Sequence, residues 1–63
     1  METLLTTQQV AEILQVSKKA VYQLLYRKRM PYLKFGEGKN GSVRISDKDL
    51  RVYIESHRVD PMN

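Results

Sequence analysis

Cationic and amide side chains recur along one short segment of the chain, at a spacing that suits contact with a polyanion. Lys18 and Lys19 stand at its start, Gln23 lies in its middle, and Arg27 and Lys28 close it. Lysine and arginine pair with phosphate groups, and a glutamine can form a bidentate pair with one edge of adenine. The chemistry that these residues offer is therefore the binding of phosphates and base edges.

The elements that would position these side chains are two short amphipathic helices within residues 6–28, joined by a tight turn. Ser17 starts the second helix, Ala11 lets the two helices approach, and Val16 fills the turn. The residues expected to face the core are Val10, Ala11, Ile13 and Leu14 in the first helix and Val21, Leu24 and Leu25 in the second. This spacing is typical of a helix-turn-helix, whose second helix enters the major groove of DNA.

Capping signals support all three predicted helices. Thr6 followed by Gln9 predicts a capping box, and Ser17 and Ser46 precede the other two apolar patterns. The second helix is expected to run into Arg27, Lys28 and Arg29, ahead of Pro31. The third helix, at about 47–57, would bury Leu50, Tyr53 and Ile54.

A β-hairpin is predicted between the second and third helices. Residues 33–35 and 43–45 alternate apolar and basic side chains around a loop rich in glycine and asparagine. Lys34 and Arg44 would then lie near each other on the outer side. The side chains expected to face the core are Leu33, Phe35, Val43 and Ile45. The predicted fold is mainly α, a winged helix-turn-helix with three helices and a two-stranded wing.

The bulk composition limits the possible classes of protein. Sixty-three residues form one small domain, expected over 1–58, with a disordered tail at 59–63. No cysteine is present, which excludes disulfides and thiolate metal sites, and we expect no cofactor. No run of 18 apolar residues and no signal-peptide pattern occurs, so a cytoplasmic protein without membrane association is expected.

The positive charge is concentrated in the middle of the chain. Residues 18–44 carry eight lysines and arginines against one acid, a net charge of +7, whereas residues 1–17 carry −2 and residues 45–63 carry −1. A basic block that coincides with a recognition-helix pattern indicates a polyanion partner. The alternative is a solvated basic face that maintains solubility.

Twelve residues are candidates for contact with DNA. The wing cations would enter the minor groove, and the cations at the end of the second helix would contact phosphates. For the two tyrosines the alternative is a packing role, and for the wing it is an ordinary surface hairpin. The candidates are Ser17, Lys18, Lys19, Tyr22, Gln23, Tyr26, Arg27, Lys28, Lys34, Lys39, Asn40 and Arg44.

The segments LLTTQQVAEILQVSKKAVYQLLYRKRMPYLKFG and SVRISDKDLRVYI resemble the excisionase-type, MerR-related winged-helix family. The shared features are a Leu-Thr start, an Ala-containing first helix, a Val-Ser turn, a Val-Tyr recognition helix and an Asp-Leu pair in the last helix. The resemblance covers about 4–57 and departs at Gln15, where glycine is common. If Gln15 has positive φ, glutamine there costs about 1 kcal/mol relative to glycine.

The resemblance implies a protein that binds and bends double-stranded DNA beside an integrase or recombinase. We expect a monomer in solution that binds DNA cooperatively. Two alternatives stay open: a small phage or plasmid transcriptional regulator, and a protein-interaction module or DNA-binding domain of a larger protein. The sequence contains no pattern typical of a catalytic site. His57 is the only histidine, and Asp47 and Asp49 diverge on a helix, so they cannot form a paired acid/base site.

Overall fold

A computed structural model describes residues 2–36 and 42–61 of the 63-residue chain. The expected fold class is confirmed, since three helices pack with a small antiparallel sheet; the sheet, however, has three strands. In chain order the elements are β1 (Leu4–Thr6), α1 (Thr7–Leu14), α2 (Lys18–Tyr26), β2 (Leu33–Phe35), β3 (Ser42–Ser46) and α3 (Asp47–Ser56).

Each helix starts at the residue that the capping signals indicate. The Thr6 hydroxyl accepts from the Gln9 amide at 3.0 Å, and the Gln9 side chain accepts from the Thr6 amide at 2.9 Å. Ser17 accepts from the amide of Ala20 at 3.1 Å. Ser46 caps α3 by accepting from the amide of the second helical residue at 3.2 Å. These short-range bonds satisfy amides that have no partner within the helix.

Helices α1 and α2 both end in a left-handed residue that is not glycine. Gln15 has φ 57° and Lys28 has φ 55°. At each end, the left-handed residue and the residue after it donate their amides back into the last turn, with lengths between 2.9 and 3.3 Å. This is the Schellman arrangement, in which glycine is the usual residue. The prediction that α2 runs through Arg29 is wrong, because the left-handed turn ends the helix at Tyr26, well before Pro31.

Strand β1 is the element that the sequence did not reveal. The sheet order is β1-β3-β2, and both pairings are antiparallel, so β3 lies in the centre. Beyond β1, Thr3 and Asp47 exchange two bonds: the Asp47 amide donates to the Thr3 carbonyl at 2.9 Å, and the Asp47 carboxylate accepts from the Thr3 amide at 3.1 Å. The N-terminal segment therefore ties the start of α3 to the sheet.

The register of β2 corrects the predicted wing. Leu33 lies opposite Arg44, and Lys34 lies opposite Val43. Directly opposite residues of an antiparallel pair share a face. Leu33 and Phe35 therefore share the outer face with Arg44, and both are exposed. Lys34 is on the other face, so the expected proximity of Lys34 and Arg44 is wrong.

Seven buried apolar side chains form the core, and they come from the three helices, β3 and the α2–β2 connection. The cluster comprises Val10, Ala11, Val21, Leu25, Met30, Ile45 and Leu50. Met30 is a buried residue that the sequence patterns missed. Ile13, Val16 and Ile54 are about half exposed, against expectation. Ile13 and Ile54 line a groove of about 360 Å³ between α1 and α3, so neither covers the other.

Candidate nucleic-acid interface

The outward face of α2 is formed by side chains three and four residues apart. Lys19, Gln23 and Tyr26 follow this spacing, which places them on one stripe of the helix. All three are exposed, and Tyr26 is 79% exposed. Val21 and Leu25, on the opposite side, are buried in the core. Helix α2 therefore holds a cation, an amide and a phenol outward on a face that the core anchors.

The first turn of α2 combines the positive end of a helix with two cations. Ser17 caps the helix through its hydroxyl, and the first turn contains no acidic residue. Lys18 and Lys19 instead occupy it, and both are exposed. Cations at a helix N-terminus are locally unfavourable, whereas an anion placed there interacts favourably with the free amides and with both lysines. The geometry suits a phosphate oxygen or a base acceptor.

The two tyrosines of α2 have different surroundings. Tyr22 is half buried and packs against the core, and its hydroxyl lies 3.4 Å from the hydroxyl of Thr7, which is a weak contact. This position matches the packing alternative, although part of the ring stays accessible. Tyr26, by contrast, is largely exposed and does not pack against the core cluster. DNA contact by either tyrosine remains a prediction.

Gln23 and Arg27 border a groove that the sequence patterns did not reveal. Its volume is about 400 Å³, and the end of α3 forms its far wall. There the ring of His57 lies 4.2 Å from the ring of Tyr53, and His57 caps α3. The lining residues are Leu14, Val16, Ala20, Gln23, Leu24, Arg27, Tyr53 and His57. The end of α3 therefore flanks the side of α2 from which Gln23 and Arg27 project.

The turn after α2 extends the cationic surface. Arg27 caps the helix, and Lys28 follows in left-handed geometry; both are exposed. Residues 13–36 contain no acidic residue. Glu55 on α3 pairs with Arg58, just after that helix, at 3.4 Å. The cations of α2 are exposed, and neither the helix nor its flanking turns contain an acidic residue.

The wing divides its cations between two faces. Arg44 is half buried in β3, and one of its guanidinium nitrogens donates to the carbonyl of Val43 at 2.8 Å. Lys34 is exposed on the opposite face of β2. Lys39 and Asn40, the candidates at the tip of the loop, lie outside the described residues. The structure thus places eight candidates on α2 and its flanking turns, and it separates the two wing candidates, Lys34 and Arg44, on opposite faces.

Comparison with known proteins identifies the type of domain. A family model described as a helix-turn-helix domain matches residues 4–58, which is most of the chain. No curated protein and no solved structure matches it. Within the described residues, no helix is long and apolar enough to cross a membrane.

The matched family is found in excisionase-like DNA-binding proteins, and such domains are typically non-enzymatic. A helix-turn-helix domain binds double-stranded DNA in a sequence-specific manner through its second helix. In this chain α2 is that helix, and it carries the exposed stripe of Lys19, Gln23 and Tyr26. The chain belongs to the helix-turn-helix domain family, whose function is sequence-specific DNA binding.

Proposed function

We propose that this protein is an excisionase-type architectural factor, which binds and bends specific DNA to direct site-specific recombination of a mobile element. Two observations support the proposal. The matched family occurs in excisionase-like proteins, and α2 exposes cations in a first turn that contains no acidic residue. A small domain of this kind can act by shaping DNA for a recombinase, without chemistry of its own.

The observation that carries DNA recognition is the outward stripe of α2. Gln23 lies at its centre, where its amide can pair with the N6 and N7 positions of adenine. Lys18, Lys19 and Arg27 surround it as exposed cations that would contact phosphates. The stripe therefore combines one group that can read base identity with several that position the protein on the duplex.

The wing and the partner proteins complete the proposal. Arg44 would contact the backbone beside the minor groove, together with Lys39 and Asn40 of the loop, whereas Lys34 lies on the opposite face of the wing from Arg44. The protein partner would be an integrase or recombinase, and the domain would be a monomer in solution that binds adjacent sites cooperatively. The rival function is transcriptional regulation by a small phage or plasmid protein.

Single substitutions on α2 test the assignment of roles. A preferred site would first be selected from random duplex DNA. Gln23→Ala should then lower affinity for that site by about 1–3 kcal/mol and leave affinity for random DNA nearly unchanged, because the lost contact is to a base edge. Arg27→Ala should weaken binding to both by similar factors, because a phosphate contact carries no sequence information.

Matched controls come from side chains outside the proposed interface. Gln8→Ala removes an exposed amide from α1, and Arg51→Ala removes an exposed cation from α3. Both should bind like the unaltered protein. Equal losses on selected and random DNA for Gln23→Ala would show that Gln23 does not read a base.

The same variants distinguish recombination from regulation. In an excision assay with the integrase from the protein's own locus, Gln23→Ala should lower the yield of excised product in proportion to its loss of binding. If excision instead proceeds equally with and without the protein, while a promoter in the locus responds to it, the regulator is the correct function.

A further inference from the structure

The outer face of the wing carries two large apolar side chains next to a cation. Leu33 lies opposite Arg44, and Phe35 lies opposite Ser42, so these four residues share one face of the β2–β3 pair. The other face of β3 holds Ile45, which is fully buried, and directs it into the core. The outer face is thus the side of the wing that the domain does not cover.

Exposure of this pair needs an explanation, since the core does not use it. Leu33 is 43% exposed and Phe35 is 53% exposed. They are two of the three residues of β2. A shift of β2 by one residue would turn both side chains toward the core face and turn Lys34 outward. The observed register does the reverse, and it keeps the apolar surface of Leu33 and Phe35 in contact with solvent.

The neighbours of the pair indicate the chemistry of its ligand. Arg44 stands beside Leu33 with five guanidinium donors, of which one is used in the bond to the Val43 carbonyl. Ser42 adds a hydroxyl, and none of the four residues on this face is acidic. A ligand that fits them presents apolar C–H surface next to an anion. The deoxyribose–phosphate backbone has this combination.

The size of the patch favours DNA over a protein as its occupant. A Leu or Phe side chain of roughly 150–250 Å², exposed to these fractions, leaves on the order of 200 Å² for the pair. A stable protein complex buries about 800 Å² on each partner. A patch this small suits the edge of an interface formed mainly elsewhere, which α2 would supply on the same duplex.

We propose that Leu33 and Phe35 pack against the deoxyribose walls of the minor groove, while Arg44 pairs with the adjacent phosphate. This inference rests on the proposed DNA binding and adds to it an apolar contact by the wing. Proteins that bind the minor groove frequently use apolar side chains, Leu and Phe among them, in contact with the duplex. The wing would thus contribute to affinity through a contact that salt does not screen.

Salt titrations separate the apolar contact from the ionic one. The double variant Leu33→Ala/Phe35→Ala should bind selected DNA at least tenfold more weakly at every salt concentration, with an unchanged log–log slope. Arg44→Ala should reduce the magnitude of that slope by about 1, because one phosphate contact is lost. Val52→Ala is the matched control, since Val52 is 68% exposed on α3 and should not affect binding.

Thermal melting of each variant guards against a folding defect. The double variant should retain its helical circular dichroism and melt within a few degrees of the unaltered protein. If it binds DNA normally while Arg27→Ala is impaired, the wing contact is absent although DNA binding stands. The inference is also wrong if the double variant loses binding only because it unfolds. It is equally wrong if the double variant changes its oligomeric state, measured by sedimentation, but keeps its affinity for DNA. If the unaltered protein binds no DNA at low salt, both proposals fail.

Discussion

Within residues 2–36 and 42–61, Gln15 and Lys28 are the non-glycine residues whose side chains conflict with their backbone geometry. Both adopt left-handed φ, where a Cβ atom approaches the following carbonyl oxygen. Gln15 makes the turn between α1 and α2, so its φ sets the angle at which the recognition helix leaves the first helix. The strain is therefore located at the joint that positions the DNA-binding face.

Gln15→Gly should stabilise the protein by about 0.5–1 kcal/mol, because glycine adopts positive φ without a steric penalty. Denaturant unfolding would measure the change. Gln8→Gly is the control, since Gln8 is exposed in the first turn of α1, where the backbone is helical and glycine should destabilise by up to about 1 kcal/mol. A loss of stability in Gln15→Gly would mean that the glutamine side chain compensates its own strain.

At the scale of single elements, the features that the sequence predicted correctly are those that depend on residues close together in the chain. The helix starts were predictable, because a cap and its partner amide lie within three residues of each other. The turn at Gln15 was predictable in the same way. The stripe of α2 also followed from spacing, since Val21 and Leu25 fix which side faces the core.

Long-range pairing produced the errors. Leu4–Thr6 pairs with the distant strand β3, and its last residue also caps α1, so no local pattern marked it as a strand. The register of β2 depends on which of two alternating sets faces the core, and a three-residue strand contains too few positions to decide this. The groove beside Gln23 was missed because α3 lies some thirty residues further along.

The connection between α2 and β2 contains the core residue whose loss should be most informative. Met30 is 1% exposed although it belongs to no helix or strand. Met30→Ala should destabilise the protein by about 2–5 kcal/mol, while Met30→Leu should cost less than about 1.5 kcal/mol. Ile54→Ala is the comparison, because half-exposed Ile54 should lose less. Denaturant unfolding would measure these changes. A lower midpoint for Ile54→Ala than for Met30→Ala would contradict the assignment of Met30 to the core.

At the scale of the whole molecule, positive and negative net charge are concentrated in different parts of the chain. The basic block at residues 18–44 carries a net charge of +7, and the segments before and after it are both negative. The β1–β3 pairing and the bonds between Thr3 and Asp47 bring those two acidic segments together. The positive charge is thus concentrated on α2 and the wing, so the field of the protein favours an orientation in which these elements face a duplex.

DNA binding should therefore depend strongly on salt. About four to six phosphate contacts from the basic block imply a log–log slope of roughly −4 to −5, because each contact releases condensed counterions. The magnitude of the slope should be smaller than the number of cations in the basic block. Lys34 and Arg44 lie on opposite faces of the wing, so they cannot both contact phosphates through one face. Fluorescence anisotropy between 50 and 300 mM salt would measure it. Arg51→Ala should leave the slope unchanged and Arg27→Ala should reduce it by about 1, whereas a slope near zero in the unaltered protein would exclude electrostatic recognition by this surface.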